Sequence, residues 1–311
     1  MRCLVTGAAG FIGSHLSESL VARSYDVVGI DNFSDYYSSS IKRKNLSKLT
    51  KNGRFKFARV DLSRDDLSRV VRSVDYVFHL AAQPGVRASW GSSFSIYTKD
   101  NVVATQRLLE AVKGVRVKRF VFASSSSIYG DSETFPTPEE AVPKPVSPYG
   151  VTKLAAEHLC RVYGRNHGVP TVVLRYFTVY GPRQRPDMAF SKFISSVARG
   201  SELWVYGDGK QKRDFTYVAD VVSATMAARR AAPGSTFNIG GGGAVSLNHA
   251  ISLIERTVQK KAHVKHMAAQ AGDVRNTSAD IAKARREIGF RPSVTLEEGL
   301  RRQVEASLPN R

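Results

Sequence analysis

The chain has 311 residues, 46 of them Lys or Arg against 27 Asp or Glu, for a formal net charge of +19. That length holds one large domain or two modest ones with ample buried core, and 42% hydrophobic with 23% charged residues is the balance of a soluble globular protein. No charged leader precedes a long apolar run and no stretch reaches the roughly 18 uninterrupted apolar residues of a membrane span, so neither a signal peptide nor a membrane role is expected.

Cys3 and Cys160 are too few and too scattered for a metal site, and no metal is expected; they read as reduced, core-facing thiols of a cytoplasmic protein. The positive charge has three readings: a solvated Arg-rich surface, attraction of a small anionic substrate, or nucleic-acid binding. Basic residues are spread along the whole chain, with short clusters such as Lys42-Arg43-Lys44 and Arg285-Arg286, and no helix-turn-helix or zinc-finger spacing accompanies them. Nucleic acid is therefore not an expected partner.

In chain order, β-branched apolar runs predict strands at 2–6, 26–30, 55–60, 76–80, 119–123 and 171–175. Helical patterns lie at 12–23, 62–72, 102–112 and 148–166. Near-continuous apolar strands alternating with helices predict an α/β fold: a doubly wound, Rossmann-type parallel sheet with helices on both faces. Beyond Tyr176 turn signals multiply, with Gly181-Pro182, Arg185-Pro186 and the run Gly240 to Gly243. Strands at 203–206 and 236–239 and helices near 220–231, 247–259 and 279–288 suit a smaller C-terminal α/β lobe. The division expected is a dinucleotide-binding domain over 1–176, with a return of the chain near 214–240, and a mainly substrate-binding lobe over 177–311.

Residues 6–13, TGAAGFIG, follow a strand and open a helix. Gly7, Gly10 and Gly13 allow a tight turn and a close backbone approach to a pyrophosphate, which the helix N-terminus then receives. Asp31 ends the second strand, where a carboxylate accepts adenosine ribose hydroxyls and repels a 2′-phosphate, favouring NAD over NADP. Lys42 and Arg43 nearby weaken that preference. Tyr149 and Lys153 stand one helical turn apart after Ser147-Pro148, so an ammonium lies on the face of a phenol and favours its ionised form. Ser124 to Ser127 follow an apolar strand and offer hydroxyl donors.

TGAAGFIG, DNFS (31–34), HLAAQ (79–83), SSSSIYG (124–130), SPYGVTK (147–153), LRYF (174–177) and RDFTYVAD (213–220) together resemble the extended short-chain dehydrogenases/reductases, in the subgroup of nucleotide-sugar epimerases and dehydratases. The resemblance covers nearly the whole chain. It implies NAD held through the cycle, Tyr149 as base, Lys153 as its electrostatic partner and nicotinamide-ribose ligand, and Ser125 as the third catalytic member. It implies cofactor contacts from Gly7, Gly10, Phe11, Ile12, Gly13, Asp31, Asn32, Ser34 and Lys42. Asp61 and Leu62 would flank adenine, and Leu80, Ala81, Ala82 and Tyr176 the nicotinamide side. Homodimerisation through a helix bundle that includes the Tyr149 helix is also implied.

The stretch RYFTVYGPRQRPDM (175–188) is similar to that of UDP-glucuronic acid 4-epimerases, with Thr178 where most relatives carry Asn. Thr178 with Ser125, Ser126 and Ser127 would surround a sugar carboxylate with hydroxyl donors, and such charge-assisted bonds are stronger than neutral ones. Arg185 would bind the carboxylate or the diphosphate. Arg213 and Arg87 would meet the diphosphate from opposite walls, Asp273 the uridine ribose, and Tyr206 either uracil or the core. Gln270 stands where many relatives have an arginine, and Arg275 is the candidate to replace it. A UDP-glucuronic acid decarboxylase, a UDP-glucose or UDP-N-acetylglucosamine 4-epimerase, and a non-catalytic NAD-binding sensor are the competing readings. A dehydratase is disfavoured, because Ser126 and Ser127 stand where it needs an acid/base pair.

Overall fold

The computed structural model describes residues 1–308; the last three positions of the expected C-terminal lobe, 309–311, lie outside them. The chain runs β1 (Arg2–Thr6), α1 (Phe11–Ala22), β2 (Asp26–Asp31), α2 (Ser39–Leu46), β3 (Phe55–Arg59), α3 (Ser68–Val71), β4 (Tyr76–His79), α4 (Phe94–Tyr97), α5 (Ala104–Val112), β5 (Arg119–Ser125), α6 (Pro148–His167) and β6 (Thr171–Tyr176). It continues through β7 (Thr178–Tyr180), α7 (Ala189–Arg199), β8 (Glu202–Tyr206), β9 (Lys212–Tyr217), α8 (Val218–Ala227), β10 (Thr236–Ile239), β11 (Ala244–Ser246), α9 (Leu247–Val258), β12 (His263–Met267), α10 (Ala282–Ile288) and α11 (Leu296–Ser307).

Seven strands make one parallel sheet in the order β10-β6-β5-β4-β1-β2-β3. Both faces are covered, which is why its inner strands are apolar without alternation; the edge strand β3, FKFAR, alternates. Along β5, Phe120 and Phe122 face a core shared with Leu108 of α5 and Cys160 of α6. Val121 and Ala123 face the opposite core, with Leu16 and Leu20 of α1 and Val221 of α8. The strand order reverses between β1 and β4, and a crevice opens at the carboxyl ends of the strands there. β10 joins the sheet beside β6, with Asn238 opposite Arg175. The smaller lobe holds a three-stranded sheet, β11-β9-β7, and the parallel ribbon β12-β8. Among the described residues no helix is long and apolar enough to cross a membrane. Both cysteines are free and buried.

One expected helix is largely absent. Of 62–72 only Ser68–Val71 is α-helical. The Asp61 carboxylate takes the backbone N–H and hydroxyl of Ser63, and Asp66 does the same for Ser68. These local bonds offer the backbone an alternative to a helix. The helix expected at 102–112 is instead preceded by α4 and a π-helical turn, Thr98–Val103. Such turns concentrate at functional positions, and this one turns Asn101 inward, 1% exposed.

Candidate active site

The turn after β1 passes through Gly7 in the left-handed region, φ +68°, and a Cβ on Gly13 would come within 2.1 Å of the Gly7 carbonyl oxygen. Only glycine lets α1 sit this close to the turn. The N-cap of α1 is Gly10, with no side-chain cap and no acid in the first turn, so its leading N–H groups and positive dipole end face the crevice.

Asp31 ends β2 at 7% exposure; its carboxylate accepts from the N–H of Ala9 (3.2 Å) and of Phe33 (2.8 Å). Lys42 lies 3.7 Å from that carboxylate but donates to the Ser34 carbonyl at 2.9 Å. Asn32 and Ser34 follow Asp31. Asp61 and Leu62 stand just past β3, Leu80 to Ala82 just past β4, and Tyr176 ends β6. All of these, with Phe11, Ile12, Tyr149 and Lys153, line one cavity along the strand ends. A glycine turn and an uncapped helix in the middle, a carboxylate at one end and a Tyr/Lys pair at the other fit a dinucleotide.

Helix α6 is placed by its termini. The Ser147 hydroxyl accepts from Gly150 N–H at 3.1 Å, Pro148 occupies the first turn, and Gly168 ends the helix in the left-handed region. A Cβ on Gly150 would meet the Ser127 carbonyl at 2.5 Å, so the helix start rests directly on the strand-end turn that carries Ser126 and Ser127. This brings Tyr149 beside Ser125, whose hydroxyl favours the phenolate; Ser125 Oγ donates to Ser127 Oγ and accepts from Ser127 N–H, both at 3.1 Å.

Burial pushes the Tyr149 pKa up, opposed by the Ser125 hydroxyl and the charge of Arg185. Lys153, 3% exposed, is pushed down to about 8 by burial, against the raising influence of Cys160 and Glu157. Its ammonium lies 4.4 Å from the Phe122 ring centroid. The helical spacing singles out Lys153 as the cation acting on the phenol; the folded chain adds Arg185, from the loop after β7, which lines the same cavity. Arg185 makes a two-pronged ion pair with Asp187, at 3.0 Å on both arms.

On the nucleotide side, Arg87 donates to Asp273 (Nη2 at 2.6 Å) and lies 4.1 Å over the Tyr206 ring. Arg213 spends its donors on the carbonyls of Lys212, Val274 and Arg275, and so holds the segment that carries Asp273. Arg87, Tyr206, Arg213 and Asp273 are thus gathered by long-range packing. Arg275 is exposed and lies 3.8 Å from Asp208. Thr178 opens β7 two residues past Tyr176, which pairs with Ser125, and itself pairs in register with Phe215 of β9.

Four residues of the site escaped the reading of motifs. Asn101 accepts from Gln83 N–H at 2.7 Å and donates to Thr152 Oγ1 at 3.0 Å, fixing the HLAAQ loop to α6. Glu157 lies one turn beyond Lys153 and accepts from Ser124. Tyr36 and Asp187 hydrogen-bond across the cavity mouth at 3.2 Å. Only Glu157 carried a signal, a helical spacing from Lys153.

A parallel sheet with its glycine turn and strand-end acid, and a Ser/Tyr/Lys set at the mouth, define an NAD-dependent epimerase or dehydratase, and the chain belongs to that family: the GDP-mannose 4,6 dehydratase family model matches residues 4–303. Among solved structures, UDP-glucuronic acid 4-epimerase from Bacillus cereus, in complex with UDP-glucuronic acid and NAD, is 44% identical with a TM-score of 0.97, covering 99% of both chains. MoeE5, solved with NAD and either UDP-glucuronic acid or UDP-glucose, is 41% identical with a TM-score of 0.90 over 99% of both chains. The "Uncharacterized UDP-glucose epimerase YtcB" of Bacillus subtilis (strain 168) is 46% identical over 98% of this chain and 97% of its own length.

Proposed function

We propose that the chain is a UDP-glucuronic acid 4-epimerase that works with bound NAD and forms UDP-galacturonic acid. The observation that carries this is Arg185 lining the cavity with Tyr149, where the turn with the hydroxyls of Ser125 to Ser127 ends β5. A carboxylated sugar uses such donors; a neutral hydroxymethyl group does not. The likeness to the Bacillus cereus enzyme supports the same substrate.

Bound NAD supplies the acceptor and then the donor of the C4 hydride. Tyr149 takes the proton of the C4 hydroxyl through Ser125 and later returns it, so the reaction is a net isomerisation. Lys153 keeps a positive charge in the cavity at neutral pH and would hold the nicotinamide ribose. The sugar presents both faces of C4 in turn, which requires anchorage remote from the reacting carbon. The 4-keto sugar is a β-keto acid that loses CO₂ when the bond from C5 to the carboxylate aligns with the ketone π system. Ser126, Ser127 and Thr178 hold the carboxylate away from that alignment.

Purified protein given UDP-glucuronic acid and no added NAD should yield UDP-galacturonic acid by NMR without a pentose. Thr178→Ala should release UDP-pentose beside it. Turnover of UDP-glucose with none of UDP-glucuronic acid would move the chain to the neutral-sugar epimerases, and UDP-xylose as the main product to the decarboxylases.

We further propose a cytoplasmic homodimer. Two free, buried thiols suit a reducing compartment. Phe94 and Ile96 of α4 and Val151 and Val162 of α6 are 41–49% exposed, with Trp90 beside them at 47%. Trp90, Phe94 and Val151 line one apolar groove. A second copy can cover such a face self-complementarily. Val151→Glu should convert a dimer to monomer in sedimentation equilibrium; an unchanged mass would place the interface elsewhere.

A further inference from the structure

Three segments meet over the cofactor cavity: the turn after β2, which carries Tyr36 and Tyr37; the turn after β4, with Pro84 and Gly85; and the loop 181–188 after β7. Tyr36, Tyr37, Pro84 and Arg185 all line the cavity. The loop 181–188 is anchored at both ends, and neither anchor lies in the lobe that follows it in sequence. At its start, Arg183 sits at φ +66°, a conformation unfavourable for a residue with a side chain. It is held there by a two-pronged pair with Glu18 (2.9 and 2.5 Å) and by donation to His15 Nδ1 (2.8 Å), while His15 Nε2 donates to the Pro182 carbonyl at 2.8 Å. Glu18 and His15 belong to α1, the helix whose N-terminus faces the pyrophosphate position. At its end, Asp187 accepts from the Tyr36 hydroxyl at 3.2 Å and grips Arg185. Tyr36 in turn rests against the turn after β4: a Cβ on Gly85 would meet its hydroxyl at 2.7 Å.

Backbone strain persists where surroundings over-determine it, and it clusters at ligand clamps. We propose that loop 181–188, pinned to α1 by Arg183 and to the ribose-side turn by the Tyr36–Asp187 hydrogen bond, is a strap that retains the dinucleotide between turnovers. The inference rests on the reading that NAD occupies the cavity. An enzyme that recycles its cofactor gains from slow release, and a strap spanning from the pyrophosphate helix to the adenosine-ribose turn closes the mouth along its length. Asp187 and Tyr36 are positioning residues here; neither has a part in proton transfer.

The test is made without sugar. NAD is extracted from purified wild-type, Tyr36→Phe and Asp187→Asn proteins and counted per chain, and exchange of bound NAD against isotopically labelled NAD is timed. Tyr36→Phe removes the donor and Asp187→Asn the charge of the acceptor and its grip on Arg185; each should speed exchange, Tyr36→Phe by up to about tenfold, the worth of one hydrogen bond, and lower the NAD carried through purification. Tyr36→Phe deletes a single oxygen, so a folding failure of Asp187→Asn does not remove the test. Wild-type protein that holds NAD while both variants exchange at its rate overturns the strap alone. Wild-type protein that carries and binds no NAD overturns the strap together with the cofactor reading.

Discussion

Replacing Tyr149 by Phe should lower epimerisation by about 10²–10⁴-fold, the usual worth of a positioned acid/base group, while NAD content and thermal stability stay near wild type. The phenol oxygen is the group beside Ser125 that accepts and returns the proton in the proposed mechanism. Its surroundings are divided. Burial opposes ionisation, and the Ser125 hydroxyl and the Arg185 charge favour it. The rate should therefore rise with pH as Tyr149 ionises. Removing a cation raises the cost of the phenolate, so Arg185→Gln should move that rising limb to higher pH. A Tyr149→Phe protein retaining more than a tenth of wild-type kcat would assign the proton transfer to another group.

Glu157→Ala should be the most destabilising single change outside the apolar core. Glu157 and Arg175 have side chains 0% and 2% exposed, and pair at 3.0 and 3.1 Å. Arg175 also donates to the Tyr129 hydroxyl at 2.7 Å and the Glu139 carbonyl at 2.8 Å, and Tyr129 donates to Asn238 of β10 at 2.7 Å. The network thus ties α6 to β6, to the loop before α6 and to the edge strand. An intact buried pair contributes little net stability, because desolvation offsets the attraction. Deleting one partner strands the other charge in the interior and costs about 3–5 kcal/mol, a fall in Tm on the order of 10 °C. Arg175→Met alone should cost as much. The double variant Glu157→Leu/Arg175→Met should recover a large part of the loss, a coupling that a double-mutant cycle in urea reads directly. Additive losses would mean that the two side chains act independently.

Several elements were readable because their signals are local. The start and stop of α6 are written in Ser147-Pro148 and Gly168, and its burial pattern follows from 3.6-residue periodicity. The glycine turn before α1 and the acid at the end of β2 need only strand–turn–helix context. Every residue assigned to the cofactor from motifs lines one cavity. The stretch 62–72 misled for an equally local reason, since its apolar spacing is helical but its Asp and Ser side chains capture the backbone first. Helices α7 and α11 carry readable caps, Gly200 after one and Thr295 before the other, but lie among turn signals that obscure their period.

By itself, then, the sequence determined the alternation of strands and helices, the dinucleotide turn, and the Tyr149/Lys153 pair, because turn chemistry and periodicity act over a few residues. Tertiary structure decided which cation joins Lys153 in the site, what neutralises Glu157, and what holds Tyr36 beside the cavity. Arg185 reaches Tyr149, Arg175 reaches Glu157, and Asp187 reaches Tyr36 only once β5, β6 and β10 lie side by side and the loop after β7 folds back over α1. Those partners are far apart along the chain, and no local spacing encodes them. They are selected by the cost of leaving a buried charge or donor unpaired once the sheet has fixed where each side chain must lie.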